Sequence, residues 1–435
     1  MASSANGRPA VPAEPDFRRF FIGYATSLFG SAMAPVAVAF AVLDNGGNGT
    51  GLGWVMAARI LPIVLVLLAG GVIADRLDSK RVMLTADLLR CATQTTLAVL
   101  LLTGRPSLWT MAATVAVWGV GEGFFLPALG ALTPELVRDR HRLSDANALL
   151  GLARSVATVA GPGTAGIVTA VWGPAAVLLA DGASYAIGAL ALVRLSLPRR
   201  PAAEEPASLL ADLREGWTEF RSRAWLWTTT AHMGLFNLLV WAPFLVLGPL
   251  TAQRRLGGAW AWGLVMAGYG IGAVAGGLAM LGRRPGRPLA VATVASLGWA
   301  LPSAALAVRA PLAWTAVAAL LAGVGSAVVG TLYNSVTQQR VPPDVLARIS
   351  AFGALGAFVL GPVGLAAAGP VAEHTGASAV LAFGAGWQLV AAAAVLAIPA
   401  VRTLGALRPP DPVAASPGLP TAPGPEDAQP GRSPT

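Results

Sequence analysis

Long apolar runs separated by short polar turns organise the chain almost from end to end. The runs cover about 19–43, 51–74, 82–103, 107–130, 144–171 and 173–195, then, after a polar gap, about 224–250, 258–282, 289–308, 311–336, 346–371 and 376–400. Each is close to the roughly 20 apolar residues that a helix needs to cross the hydrocarbon layer, where every backbone amide must be satisfied within its own segment. Gly, Pro or Arg clusters bound nearly all of them. The pattern predicts an all-α membrane protein with 12 transmembrane helices.

Composition agrees, with 55% hydrophobic and 12% charged residues, outside the range of soluble domains. A formal charge of +9 on a soluble surface would suggest nucleic acid, so the placement of the basic residues decides the matter. With the N-terminus inside, 23 of the 30 Lys and Arg residues fall in cytoplasmic segments. External loops receive Arg105, Arg254, Arg255 and Arg309, and Arg59, Arg90 and Arg154 lie within helices. This positive-inside bias puts both termini in the cytoplasm and leaves no nucleic-acid surface. The first run is too long for a signal peptide and reads as the first spanning helix. Cys91 is the only cysteine, which excludes an internal disulfide. His141, His232 and His374 are scattered, so no metal or cofactor is expected.

The polar gap, 196–223, places Leu209, Leu210, Leu213, Trp217 and Phe220 at helical spacing against Asp212, Arg214, Glu215 and Arg221. It predicts an amphipathic linker helix on the inner membrane face. The Pro-rich tail 402–435 and residues 1–16 cannot bury a core and are expected to be disordered. Between them lie two lobes of six helices each, 17–195 and 224–401. GVGEGFFLPALGALTPELV from Gly119 matches GVGSAVVGTLYNSVTQQRV from Gly323 at an offset of 204, and Gly161-Pro162 precedes Gly361-Pro362 by 200 residues. Duplicated bundles of this kind hold a substrate site between their halves.

After the second run comes GGVIADRLDSKR, with Gly71, Asp75, Arg76, Lys80 and Arg81 in a tight turn. The positive-inside rule accounts for the basic residues but not for Gly71 four residues before Asp75. The arrangement resembles the signature between helices two and three of the major facilitator superfamily, with Asp78 in place of a Gly and Ser79 in place of a basic residue. The resemblance implies that Asp75 caps a helix of the opposite lobe, near Leu346 to Ser350, and steadies the outward-open state. Gly161, Pro162 and Gly166 resemble the helix-five signature of proton-driven exporters, where Pro frees a carbonyl and Gly lets helices approach. ADLREGWTEFRSR, with DLLR at Asp87 to Arg90, is similar to the branch of siderophore exporters and macrolide-efflux-like proteins. The likeness runs from Phe17 to about Val401. It departs at Gly119, where the fourth helix of such exporters usually holds an Arg, and Glu122 follows. The resemblance implies the major facilitator fold and a monomer in the bacterial plasma membrane. That monomer would export a small amphipathic organic compound (a drug, antibiotic or siderophore) against protons, by alternating access. Import of a nutrient by proton symport and a structural membrane protein are the alternatives. No GxSxG, HExxH or phosphate-binding loop marks an enzyme.

Ionisable residues within the bilayer are costly unless paired or hydrated, so each is a functional candidate. Arg59, Asp87, Arg90, Glu122, Arg154 and Asp181 all fall in helices two to six. At about 1.5 Å per residue, Arg59 and Asp181 sit at similar depths and are within reach of each other. Glu122 and Arg154 lie nearer the middle, as a proton site or a permanent ion pair. Asp87 and Arg90, three apart, read as a pair near the cytoplasmic surface. If helix four lines the cavity, as the resemblance implies, Glu122 exchanges a proton with cavity water. Tyr24, Phe125, His232, Asn237, Trp241, Tyr333 and Asn334 are candidates for the cavity wall, a set suited to a mostly apolar ligand.

Overall fold

The computed structural model describes residues 14–74, 78–137, 143–195 and 209–405, and every regular element among them is helical. The first half consists of α1 (Pro15–Asp44), α2 (Gly49–Ala74), α3 (Ser79–Thr103), α4 (Leu108–Leu136), α5 (Leu143–Trp172) and α6 (Pro174–Val193). Local chemistry sets their starts. Asp78 accepts from the backbone amides of Lys80 and Arg81 to cap α3, Ser107 accepts from Thr110 N to cap α4, and Pro174 opens α6. The capping role explains an Asp at position 78, where the resemblance expects Gly.

The linker contains α7 (Leu209–Ser222). Its Trp217 and Phe220 rings meet Phe352 at 5.7 and 6.1 Å, so part of the apolar stripe packs on protein. Next come α8 (Ala224–Phe236), a π-helical turn over Asn237–Trp241, α9 (Ala242–Thr251) and a second π turn over Ala252–Leu256. Together they form one run of 33 residues. Then follow α10 (Ala259–Met280), α11 (Pro288–Ala295) and α12 (Ala300–Ala307) joined by a 3-10 turn, α13 (Leu312–Arg340), α14 (Pro343–Phe358), α15 (Gly361–Thr375), α16 (Ala377–Ala397) and the short α17 (Pro399–Arg402).

Among the described residues, 11 helices or helix runs are long and apolar enough to cross a membrane, against the 12 that the pattern predicts. The exception is α3. Its 25 residues suffice in length, but Asp87, Arg90 and Gln94 lower its apolarity, and the fold hides all three inside the bundle. Exposed Trp54, Trp109, Trp172, Trp260 and Trp314 sit at one end of the helices that carry them, the position of an interfacial aromatic belt.

The two Gly-Pro sites behave differently. α5 runs straight through Pro162, whereas its second-half counterpart breaks at Val359 and Leu360, just before Gly361-Pro362. In α5 the Thr158 carbonyl, which Pro162 cannot bond, lies under Gly270 of α10. In the second half Asn237, in the π turn, donates through Nδ2 to the carbonyls of Met233 and Ala357, both at 3.1 Å. That donor satisfies a carbonyl at the broken end of α14, so the break is tolerated.

One core spans both halves: Met33–Val42 and Leu52 meet Phe244, Leu247, Trp262, Val265 and Leu365. At the opposite end the cores are separate. Phe17, Phe20, Tyr24, Phe125 and Leu132 form one, and Leu226, Val336 and Ile349 form another with Phe220 of the linker. Among the described residues the cores of the halves are therefore joined at one end and separate at the other. At the joined end α2 packs on α15 and α5 on α10. A Cβ on Gly166 would stand 2.7 Å from the Ala259 carbonyl and 2.9 Å from Gly263 Cα, so this approach requires glycine.

Candidate functional site

The charged residues of the first half converge inside its bundle. Glycines on α4 make room for them: the Gly119 face lies directly on the Arg59 backbone, and a Cβ on Gly121 would stand 2.8 Å from Arg90 Cγ. Small residues that let helices approach closely bring polar side chains of different helices into contact. Between these two glycines and Gly123, Glu122 points at α2.

Arg59 donates from Nη2 to Glu122 Oε2 at 2.7 Å and from Nε to the same oxygen at 3.2 Å. Its guanidinium also lies 4.1 Å from the centre of the Trp118 ring, a cation–π contact that offsets burial. Glu122 keeps 23% of its side chain exposed and Arg59 13%. The pair thus stays partly accessible while remaining paired. The sequence expectation of Arg59 beside Asp181 is corrected, because the close approach of α2 and α4 at Gly119 delivers Arg59 to Glu122. Arg154 is exposed and makes no ion pair among the described residues, so the expectation of a Glu122–Arg154 pair is corrected as well.

A second, dry layer lies behind the first. Asp87 and Arg90 are ion-paired and nearly inaccessible. The arginine is sandwiched between the rings of Phe125 and Tyr185, at 4.0 and 4.3 Å. They pair as their spacing predicts, and α4 and α6 cover this face of α3. Tyr185 OH accepts from Trp118 Nε1 at 3.0 Å and shares a hydrogen bond with Ser31 Oγ at 2.8 Å. Asp181, fully buried, has neutral partners. It accepts from Gln94 Nε2 at 2.6 Å, and the Ser184 hydroxyl lies 3.4 Å from its other oxygen. Trp118, Tyr185, Gln94 and Ser31 were not singled out from the sequence. Only Gln94, an amide in an apolar stretch, carried a signal that it needs a buried partner.

Tyr24 stacks on Phe125 at 6.5 Å and on Phe20 at 5.8 Å, forming one aromatic column that ends at Arg90. In the second half, Trp241 meets Tyr269 at 5.2 Å and Phe236 at 6.4 Å. Tyr269 OH and Trp299 Nε1 both bond Ser326 Oγ, at 2.7 and 2.9 Å. His232 lies between Trp299 and Trp387, rings of the helix runs 288–307 and 377–397. Asn237 is committed to the helix break. Tyr333 OH lies 3.4 Å from Thr230 Oγ1, and Asn334 is exposed.

Of the helix-two turn, Gly71 falls in the last turn of α2, Lys80 Nζ donates to the Leu195 carbonyl at 2.7 Å, and Arg81 lies 3.7 Å from Asp78. Asp75 and Arg76 lie outside the described residues. Gly161 packs on Ala32 of α1, while the Pro162 carbonyl and Gly166 pack on Gly263 of α10. Among the described residues no group of His, Cys, Asp or Glu is arranged to hold a metal.

The chain resembles solved transporters over most of its length. The nucleoside transporter NupG superposes with a TM-score of 0.67 at 17% identity, covering 88% of this chain and 98% of that one. The peptide transporter POT in complex with sulfate gives 0.70 at 14%, covering 92% and 97%. By sequence, macrolide efflux protein A of Streptococcus pyogenes is 24% identical over 368 residues, 83% of this chain and 90% of that protein. The multidrug efflux pump Tap of Mycolicibacterium fortuitum is 26% identical over 360 residues, 80% and 87%. The sequence profile of the Major Facilitator Superfamily matches residues 20–365. With that match across the helical bundle, the chain belongs to the Major Facilitator Superfamily and is a multi-pass membrane protein of that family of transporters.

Proposed function

We propose that the protein is a proton-coupled exporter that carries a small amphipathic organic compound (a drug, antibiotic or siderophore) out of the cytoplasm by alternating access. The observation that carries this reading is the Arg59–Glu122 pair: a carboxylate on α4, partly exposed and held by a guanidinium. Arg59, reaching across Gly119 from α2, takes the place of the arginine that related exporters carry on the fourth helix. The names of the relatives, macrolide efflux protein and multidrug efflux pump, support export and an amphipathic cargo.

In this reading α3 is the twelfth span, both termini are cytoplasmic, and the protein acts as a monomer in the bacterial plasma membrane. The lobes are 17–195 and 224–401, joined by the linker 196–223 and flanked by the segments 1–16 and 402–435. The positive-inside orientation puts the joined end outside, so the conformation is inward-open. Substrate enters between the lobes and rests against Tyr24 and Phe125 on one side and Trp241 and Tyr333 on the other. When Glu122 is protonated, its attraction for Arg59 falls, leaving Arg59 on the Trp118 face. When a substrate arrives, Glu122 releases the proton inward and re-forms the pair. Asp87, Arg90 and Asp181 hold the scaffold behind this exchange, and Arg154 is available at the lobe surface.

The test is proton flux in liposomes under a pH gradient, with macrolides, lipophilic cations and siderophores as trial cargo and Glu122→Gln as the control. Substrate-dependent flux that vanishes in the variant supports antiport through Glu122. Flux that survives in the variant removes Glu122 from the coupling step, and no flux with any compound leaves export unsupported.

A further inference from the structure

The joined end of the bundle closes along one stripe of α15. Leu365, Gly369 and Glu373 recur every four residues and so share one face. Opposite them the start of α2 runs antiparallel. The Leu365 carbonyl lies on Gly53, Gly369 lies on the backbone of Gly49 and Thr50, and Glu373 reaches Asn48 and Thr50. The contact of Gly369 is so close that any Cβ there would overlap the Thr50 amide. That approach sets Glu373 at the first turn of α2.

Two donors of the opposite half then converge on one carboxylate oxygen. Asn48 Nδ2 donates to Glu373 Oε1 at 2.7 Å and Thr50 Oγ1 donates to it at 2.8 Å. Asn48 is also the cap of α2, because its Oδ1 accepts from Gly51 N at 2.9 Å. One side chain therefore holds the Gly51 amide of α2 with its oxygen and the Glu373 carboxylate with its nitrogen. A negative charge at a helix N-terminus is favoured by the helix dipole. A second polar link at the same end runs from Gln253 Nε2 to Asp44 Oδ1 at 3.2 Å. Among the described residues the remainder of this end is apolar packing.

We propose that Glu373 is the latch of this end: by accepting from Asn48 and Thr50 it holds α15 on the start of α2, and its release is the step that lets the end open. Glu373 is exposed, so water takes over both donors and the carboxylate when the contact parts. A latch of this kind holds by a small margin, since exposed charge-assisted contacts are weak in net terms. A transport cycle needs such a margin, because a deeply buried ion pair would lock the state. The proposal rests on the alternating-access reading above, in which this end must open once per cycle.

The test uses the full chain with Cys91→Ser, carrying spin labels at cysteines replacing Arg105 and Ala379, on opposite halves at this end. Distances are read in lipid nanodiscs without substrate or gradient. The parent should give a distribution centred on the closed separation. Glu373→Ala should raise the open-to-closed ratio about five-fold or more, Asn48→Ala and Thr50→Val should each raise it, and Asn48→Ala combined with Glu373→Ala should add little beyond the larger single effect. Thr50→Val removes only a hydroxyl and keeps the helix start, so it guards against loss of fold. An unchanged distribution in Glu373→Ala, or full additivity in the double variant, would overturn the latch. Because the readout needs no transported compound, a chain that exports nothing can still pass this test, and a functioning exporter can still fail it.

Discussion

Arg59 gives both its Nε and its Nη2 hydrogen to a single oxygen of Glu122, at 3.2 and 2.7 Å, and so ties α2 to α4 across the bare face of Gly119. The other carboxylate oxygen takes no part in this bond.

Glu122→Gln keeps an oxygen for Arg59 but removes the charge. Its expected signature is loss of substrate-driven proton flux with little change in thermal unfolding. Arg59→Leu should behave differently, lowering both, because it also strands a half-buried carboxylate; a cost of about 1–3 kcal/mol is expected. Unfolding midpoints in detergent and flux in liposomes, measured on the same preparations, separate the two. Equal loss of stability in both variants would mean that the pair is only a structural tie.

Asp181 tests the dry layer. Its oxygen is held by Gln94 Nε2 at 2.6 Å, so Asp181→Asn retains an acceptor and should fold normally. Gln94→Leu removes the donor and leaves a fully buried carboxyl with only Ser184 at hand, which should destabilise the protein by about 1–3 kcal/mol. The unfolding midpoint reads both. If Gln94→Leu proves neutral, water or a rearranged side chain must replace the amide.

The contrast between the two layers shows what the sequence could and could not reveal. Apolar runs mark the long helices because lipid imposes a similar length on each span, and α3 was legible as a helix despite its charges. Arg59, Asp87, Arg90, Glu122 and Asp181 stood out because charges are rare inside such runs. Their pairing did not, since it is set by helix rotation and by which glycine faces which neighbour. Gly119 looked like a missing arginine and is instead the gap that admits one from α2. Trp118 and Tyr185 passed for ordinary apolar residues, because their polar ends matter only once α4, α6 and α1 bring Trp118, Tyr185 and Ser31 together.

Asn237→Leu tests the break in the second half. The amide bridges Met233 and Ala357 at 3.1 Å each; without it the Ala357 carbonyl at the end of α14 loses its partner. A loss of about 1–2 kcal/mol is expected, together with faster hydrogen exchange confined to 355–364. Asn237→Gln should not rescue it, since the longer side chain misplaces the donor. Uniform exchange across α14 and α15 in the leucine variant would show that the break is held by packing alone.

Gly166 and Gly163 lie three residues apart on α5 and predict opposite outcomes. A Cβ on Gly166 would stand 2.7 Å from the Ala259 carbonyl and 2.9 Å from Gly263 Cα, both backbone atoms that cannot turn aside; a Cβ on Gly163 would meet Ala267 Cβ at an ordinary 3.4 Å. Gly166→Leu must therefore push α5 from α10 and weaken the joined end, whereas Gly163→Ala should be tolerated. A cysteine replacing Val265, buried in the shared core, reports the difference in the Cys91→Ser background. Its reaction with a membrane-impermeant maleimide should be slow in the parent and in Gly163→Ala, and faster by roughly ten-fold or more in Gly166→Leu, the change in exposure expected when a packed core opens to water. Under the proposed function, export should fall in Gly166→Leu, since the joined end no longer closes. Equal labelling of the two variants would mean that α5 and α10 do not form the seal, and that the end is held by α2 and α15 alone.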